Sequence, residues 1–111
     1  MLHKEIENKA QAKRVAKELA ADLRNELKIY DGYTVSVKEH PSQVHVLVTP
    51  DLRKRSSALI TDSAHDYVNN VVMLYKMKYL FVNHHIGVTE IQVNNVKHLV
   101  PALVVCFLFT E

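Results

Sequence analysis

The stretch LVPALVVCFLF, residues 99–109, is the longest apolar run in this chain of 111 residues. Its β-branched and aromatic residues favour a strand, with Pro101 near the start of the strand or at an edge of the sheet. Because side chains alternate between the two faces of a strand, both faces of this one are apolar. One face carries Ala102, Val104, Cys106 and Leu108, and the other carries Leu103, Val105, Phe107 and Phe109.

A strand that is apolar on both sides needs cover on both sides. Helices can cover one face, but the other would leave roughly 300–500 Å² of apolar area in water, about the largest patch that a monomer tolerates. Either an N-terminal segment or a curled sheet covers it within one chain, or a partner does. We expect a partner, and a homodimer by default because two-fold pairs dominate soluble oligomers. The expected interface residues are Leu103, Val105, Phe107 and Phe109.

The first half of the chain has a clear periodicity. Apolar residues at spacings of three and four over residues 4–30 predict a helix, which Asp31-Gly32 then stops. Valines that alternate with polar residues over 33–38 and 44–49 predict two strands joined as a β-hairpin.

The middle of the chain is harder to assign. Thr49-Pro50-Asp51 has the residues of a helix start, but the apolar positions that follow change phase near Thr61-Asp62-Ser63. We infer a short helical turn and then a helix over residues 62–84, with one bent helix as the alternative. A strand over residues 87–94 and a turn at Asn94-Asn95 lead to the last strand.

The predicted order is therefore α-β-β-α-β-β in one α+β domain, residues 1–111, with the helices on one face of a mostly antiparallel sheet. The order helix, strand, strand, helix, strand resembles that of type II KH domains. The Gly-x-x-Gly clamp of those domains is absent, since Gly32 and Gly87 stand alone. The resemblance therefore concerns the order of elements.

Composition gives few constraints on function. With 48% hydrophobic and 23% charged residues the chain has the composition of an ordinary globular protein, and its net charge of +2 is mild. A single cysteine fits a reducing, cytoplasmic environment. The N-terminal MLHKEIENKA is too polar for a signal peptide, and the longest apolar run is about half of the ~20 residues that a membrane span needs.

Basic residues are clustered in two places. A row on the first predicted helix, at steps of four and seven residues, can follow a phosphate backbone. A second cluster begins at Arg53, in the predicted helical turn where backbone N–H groups would also favour an anion. The alternative is that both clusters are ordinary solvated surface. We expect DNA or RNA as the ligand, contacted by Lys9, Lys13, Lys17, Arg24, Lys28, Arg53, Lys54 and Arg55.

No pattern predicts a metal, a cofactor or a catalytic site. The seven histidines lack the cysteines or the close His–His–acid spacing of a zinc site, and no phosphate-binding glycine loop is present. Asp62, His65 and Asp66 leave a small hydrolase as a further alternative. We predict a non-enzymatic binding protein, with protein–protein interaction through the last strand, as an inhibitor, adaptor or assembly component, as the alternative to nucleic-acid binding.

Overall fold

A computed structural model describes residues 4–29, 32–54 and 59–110 of the chain. Within these residues the elements follow the order α-β-β-α-β-β, which confirms the predicted α+β class. The elements are α1 (Lys9–Glu26), a 3₁₀ turn (Leu27–Ile29), β1 (Tyr33–Glu39), β2 (Gln43–Pro50), α2 (Asp62–Lys78), β3 (Val82–Val93) and β4 (Val96–Leu108).

The four strands form one antiparallel sheet in the order β1-β2-β4-β3, so that β1 and β3 are the outer strands. α1 packs on β1 and β2, and α2 packs beside α1 and against β3. The helices and the sheet enclose one large core. Its fully buried side chains include Ile6, Val15, Leu19, Leu23, Val44, Val46, Val48, Val72, Val105 and Phe107.

α1 is shorter than predicted at its N-terminal end. Asn8 caps the helix by accepting a hydrogen bond from the backbone N–H of Gln11 at 2.8 Å. The residues before it are extended, because Lys4 exchanges backbone hydrogen bonds with Lys78 and Leu80 at 2.9 Å each. At the other end Gly32 has a φ of 103°, the left-handed conformation expected of a residue that stops a helix. The last residue of the predicted helix, 30, and residue 31 of the predicted stop lie outside the described part of the chain.

The predicted helical turn after β2 is not a helix over the residues that the structure describes. Residues 52–54 form a turn, and residues 55–58 lie outside the described ranges. α2 begins at Asp62, where the hydroxyl of Thr61 caps it by accepting from the backbone N–H of Ala64 at 3.2 Å.

The prediction that this helix continues to residue 84 is wrong. α2 ends at Lys78, and Phe81 adopts a left-handed φ of 61° that turns the chain into β3. Residues 82–86 are then paired one to one with residues 107–103 of β4. The ladder to β4, which joins residues far apart in sequence, overrides the local helical pattern.

β3 and β4 form a long hairpin whose end projects beyond the rest of the sheet. Asn94 and Asn95 have φ values of 51° and 65°, the conformation of a two-residue type I′ turn. The last pair between β2 and β4 is Val48 with Leu103, so Pro101 lies where β4 is bonded only to β3. The missing N–H of Pro101 is therefore tolerated in a strand that is central elsewhere. We call residues 88–101 the ribbon.

Over residues 102–107, both faces of β4 are shielded within the chain. Leu103, Val105 and Phe107 lie under the helices, whereas Ala102, Val104 and Cys106 form a second buried cluster on the other face, with no helix residue in it. Cross-strand neighbours explain this burial, since Cys106 lies opposite His45 and Val104 lies between Leu47 and His85. Longer side chains that flank the small ones cover this face, so neither face of β4 requires a partner for its burial over these residues.

Candidate functional site

The N-terminal half of the basic row lies along an open groove on α1. Lys9, Lys13 and Lys17 line this groove, which has a volume of about 780 Å³. Glu39 of β1 enters the groove, with its carboxylate oxygens 3.7 Å from Lys9 Nζ and 3.3 Å from Lys13 Nζ. The groove therefore carries an acid among its cations, which reduces the field that a phosphate would meet.

The C-terminal half of the row has a structural contact. Arg24 Nη2 donates a hydrogen bond of 2.8 Å to the backbone carbonyl of Val35, on the outer edge of the sheet. Lys28 is exposed in the 3₁₀ turn that follows α1. The residues of the predicted row thus lie in three different environments: in the groove on α1, in contact with the edge of the sheet, and in solvent.

The second basic cluster is organised around a carboxylate. Asp51 is 9% exposed and accepts three hydrogen bonds from Arg53: from its backbone N–H at 3.0 Å, from Nε at 3.1 Å and from Nη2 at 3.2 Å. These bonds lower the pKa of Asp51, although burial acts in the opposite direction. Lys54 is exposed beside this pair, and Arg55 lies outside the described residues. No described helix begins here, so the predicted anion site at a helix start lacks its helix.

The four predicted interface residues point towards the helices. Leu103, Val105 and Phe107 are at most 3% exposed, and Phe109 packs against the same core. A partner could reach these side chains only if the helices moved away. The structure therefore assigns them to the core of this chain.

Histidines gather on the opposite face of the sheet. The rings of His40 and His45 are 4.2 Å apart between centroids, and His45 Nε2 lies 2.9 Å from Gln43 Oε1. Burial, followed by the nearby His40, His85 and Lys38, lowers the pKa of His45. In the described ranges no group of three or more His, Cys, Asp or Glu side chains could hold a metal ion.

The residues of the hydrolase alternative do not converge on a polar site. Asp62 and His65 line a recess of about 200 Å³ at the start of α2, together with Ile60, Ile86 and Pro101. Asp66 is exposed on α2 and does not line this recess. The neighbouring atoms are mostly apolar and supply no evident nucleophile or oxyanion donor.

A surface that the sequence interpretation missed is apolar. Among the residues whose side chains the structure describes, all nine large apolar side chains that are exposed lie between residues 59 and 99, and none lies in residues 4–28 or 32–54. We call them the exposed apolar set: Leu59, Met73, Leu74, Met77, Phe81, Ile86, Val88, Val96 and Leu99.

Six residues of the exposed apolar set fall into two groups, and Leu59, Phe81 and Val96 lie outside both. Met73, Leu74 and Met77 lie on the outer side of α2. Ile86, Val88 and Leu99 lie on the helix side of the sheet, on or next to the ribbon, and are 65%, 72% and 75% exposed. The sequence signal for the first part was present: α2 has apolar residues around most of its circumference, more than one buried stripe can use.

Comparisons with known proteins add no assignment. No helix in the described ranges has the length and apolar character needed to cross a membrane. No family model, curated protein or solved structure matches this chain.

Proposed function

We propose that this chain is a non-enzymatic protein-interaction module, an adaptor or assembly component, that docks through the exposed apolar set. One observation carries the proposal: the exposed large apolar side chains are confined to residues 59–99 of the described chain. Single exposed apolar residues are ordinary, but neighbouring ones, such as Met73, Leu74 and Met77 on α2 or Val88 and Leu99 on the ribbon, are typical of a binding site.

The ribbon supports the same proposal. Two-stranded hairpins are marginally stable in water unless a third strand or another element covers them. Here the ribbon extends past the last β2–β4 pair and exposes Val88 and Leu99 on one side. A partner that covered this side would bury apolar surface at about 25 cal/mol per Å².

Affinity capture tests the proposal. A tagged chain and its Val88→Asp/Leu99→Asp variant are used to capture proteins from a lysate of the source organism. Both side chains are more than two-thirds exposed, so we expect the variant to fold, which circular dichroism checks. We expect the variant to lose partners that the unchanged chain captures, whereas a Lys13→Glu/Lys17→Glu control retains them. Identical partner lists for the apolar variant and the unchanged chain would refute the proposal.

Nucleic-acid binding through the basic row is a second candidate function. It is supported by the groove on α1, where Arg14 and Lys17 make no ion pair with an acid in the described residues. The test is a salt titration of binding to mixed-sequence DNA and RNA. Lys17→Glu should weaken binding and Glu39→Gln should strengthen it, because Glu39 holds Lys13. No binding at low salt, or no response to either change, would remove this candidate.

A further inference from the structure

The two outer strands of the sheet are protected differently. On β1, Arg24 bonds to the carbonyl of Val35, and Lys9 and Lys13 reach across to Glu39. Long charged side chains along an outer strand keep other strands from pairing with it. The edge at β1 is therefore guarded by α1.

In the described residues, no long basic side chains from a helix contact the outer edge of β3 in this way. β3 has twelve residues, no lysine, arginine or proline, and an uninterrupted one-to-one ladder with β4, so that no bulge turns its edge away. Its one acid, Glu90, lies 3.4 Å from Lys97 Nζ of β4. No strand in the described ranges pairs with the outer edge of β3. A long, straight and unguarded edge is a template for another strand.

Gly87, in the middle of β3, is unexplained by the fold of a single chain. It is absent from the positions with positive φ, and a Cβ placed on it would meet its nearest atoms, in His85 and Val104, at ordinary contact distances of 3.7 Å. The Cβ of an alanine would therefore be tolerated there. Glycine weakens the interior of a strand, and it often marks a place where another backbone approaches closely.

We infer that β3 pairs antiparallel with β3 of a second copy, about a two-fold axis at Gly87. This inference rests on the proposed function, for which it names the partner. It would join two four-stranded sheets into one continuous sheet of eight strands. Pairing of residues 82–92 with 92–82 gives a ladder about 36 Å long, at about 3.3 Å per residue.

The side chains of β3 are complementary about this axis. Ile86 would lie opposite Val88 of the second copy, so that two exposed apolar side chains meet on the helix side of the sheet. His84 would lie opposite Glu90 of the second copy, where a ring N–H of the imidazole can donate a hydrogen bond to the carboxylate. An axis moved to Val88 would instead place Glu90 opposite Ile86. The sequence of β3 therefore favours Gly87 as the centre.

Solution mass by light scattering is the first test. We expect about 25 kDa, twice the chain mass of 12.7 kDa. Val88→Lys places a charge at the centre of the pairing and should return the mass to that of one chain. Val96→Lys is the matched control, since Val96 is also exposed but lies on β4 at the ribbon tip. A monomeric unchanged chain, or a dimer that Val88→Lys leaves intact, would overturn the inference.

Disulfide trapping tests the register independently of any loss of folding. In a Cys106→Ala background, Gly87→Cys would bring two cysteines directly opposite each other, where paired Cα atoms lie about 4.5–5.5 Å apart and a disulfide can form. Glu90→Cys is the control, because the two positions would be about 20 Å apart. A covalent dimer from Gly87→Cys alone is expected, and one from Glu90→Cys instead would exclude this register. If the chain is monomeric while lysate capture still depends on Val88 and Leu99, this inference fails and the proposed function stands.

Discussion

The hydroxyl of Tyr75 donates a hydrogen bond of 2.6 Å to Asp22 Oδ2 and so joins α2 to α1. Burial and the nearby carboxylate raise the pKa of Tyr75, which keeps the phenol protonated as a donor. Tyr75 is 5% exposed, whereas Asp22 lies at the surface. The contact therefore lies at the boundary between the core and the solvent.

Removing this hydroxyl should destabilise the fold. Hydrogen bonds to charged groups contribute about 1.5–3 kcal/mol, and we expect Tyr75→Phe to cost about 1.5 kcal/mol because Asp22 can be hydrated again. Chemical denaturation measures the change, which corresponds to roughly 5–10 °C in Tm. Tyr79→Phe is the control, since no hydrogen bond of its hydroxyl occurs in the described structure. Equal losses in the two variants would contradict this account.

Arg24 should matter more for stability than its neighbours in the basic row. Its guanidinium donates a hydrogen bond of 2.8 Å to the backbone carbonyl of Val35. We expect Arg24→Ala to lower the free energy of unfolding by about 1 kcal/mol, whereas Lys17→Ala changes it by less than about 0.5 kcal/mol. If neither substitution changes the free energy of unfolding, the contact of Arg24 does not protect the edge of β1. The inferred difference between the edges at β1 and β3 would then have no support.

The pH dependence of stability should reflect the half-buried His45. The pKa of His45 is below its ordinary value of 6.5 in the folded chain, mainly through burial. As the pH falls below about 6.5 the unfolded chain therefore binds a proton before the folded chain does, and stability is lost. We expect a lower Tm at pH 5 than at pH 7.5, and a smaller difference in His45→Gln.

The interval from pH 7.5 to 8.5 is the control for this experiment, since His45 is neutral there in both states. The lowered pKa of Asp51 contributes at more acidic pH, below its ordinary value of 3.8, and so does not interfere. If the difference in Tm between pH 5 and pH 7.5 is as large in His45→Gln as in the unchanged chain, other groups cause it. His84 is the first of these, because burial also lowers its pKa.

The sequence predicted those elements that local patterns determine. The apolar stripe of α1 and the alternating valines of β1 and β2 were sufficient, because burial in each case follows the period of the element. Residues 82–86 were misassigned, since their pairing with residues 103–107 is a contact between distant parts of the chain. The buried face around Val104 depends in the same way on strand register, which places Leu47 and His85 beside it.

The candidate site was less predictable than the fold for a related reason. The spacing of the basic residues predicted a row on the first helix, but the positions of Glu39 beside Lys13 and of Val35 beside Arg24 come from tertiary packing. Leu74 lies in α2, among apolar residues of which several are buried, yet it is 58% exposed. Which apolar residues are left outside the core depends on how α2 is rotated against the sheet, and no local pattern specifies that rotation.

Phe81 has a strained backbone conformation and an exposed side chain. Substitutions of Phe81 therefore test whether this position lowers the stability of the fold but contributes to binding. Its φ of 61° is a left-handed conformation that costs a bulky residue about 1–2 kcal/mol, and its side chain is 53% exposed. Asparagine adopts this conformation more readily. We expect Phe81→Asn to be about 1 kcal/mol more stable than Phe81→Ala, which retains the strain and loses the same ring.

The comparison of these two variants isolates the backbone contribution, because both remove the aromatic contacts of Phe81. Strained residues persist where function requires them, so we also expect both variants to capture less partner than the unchanged chain does. If Phe81→Asn is more stable than Phe81→Ala and captures as much partner as the unchanged chain, the strain at Phe81 has no role in docking. The docking surface would then consist of α2 and the ribbon, without Phe81. If the two variants are equally stable, the turn after α2 accommodates any residue and the strain is relieved elsewhere in residues 79–82.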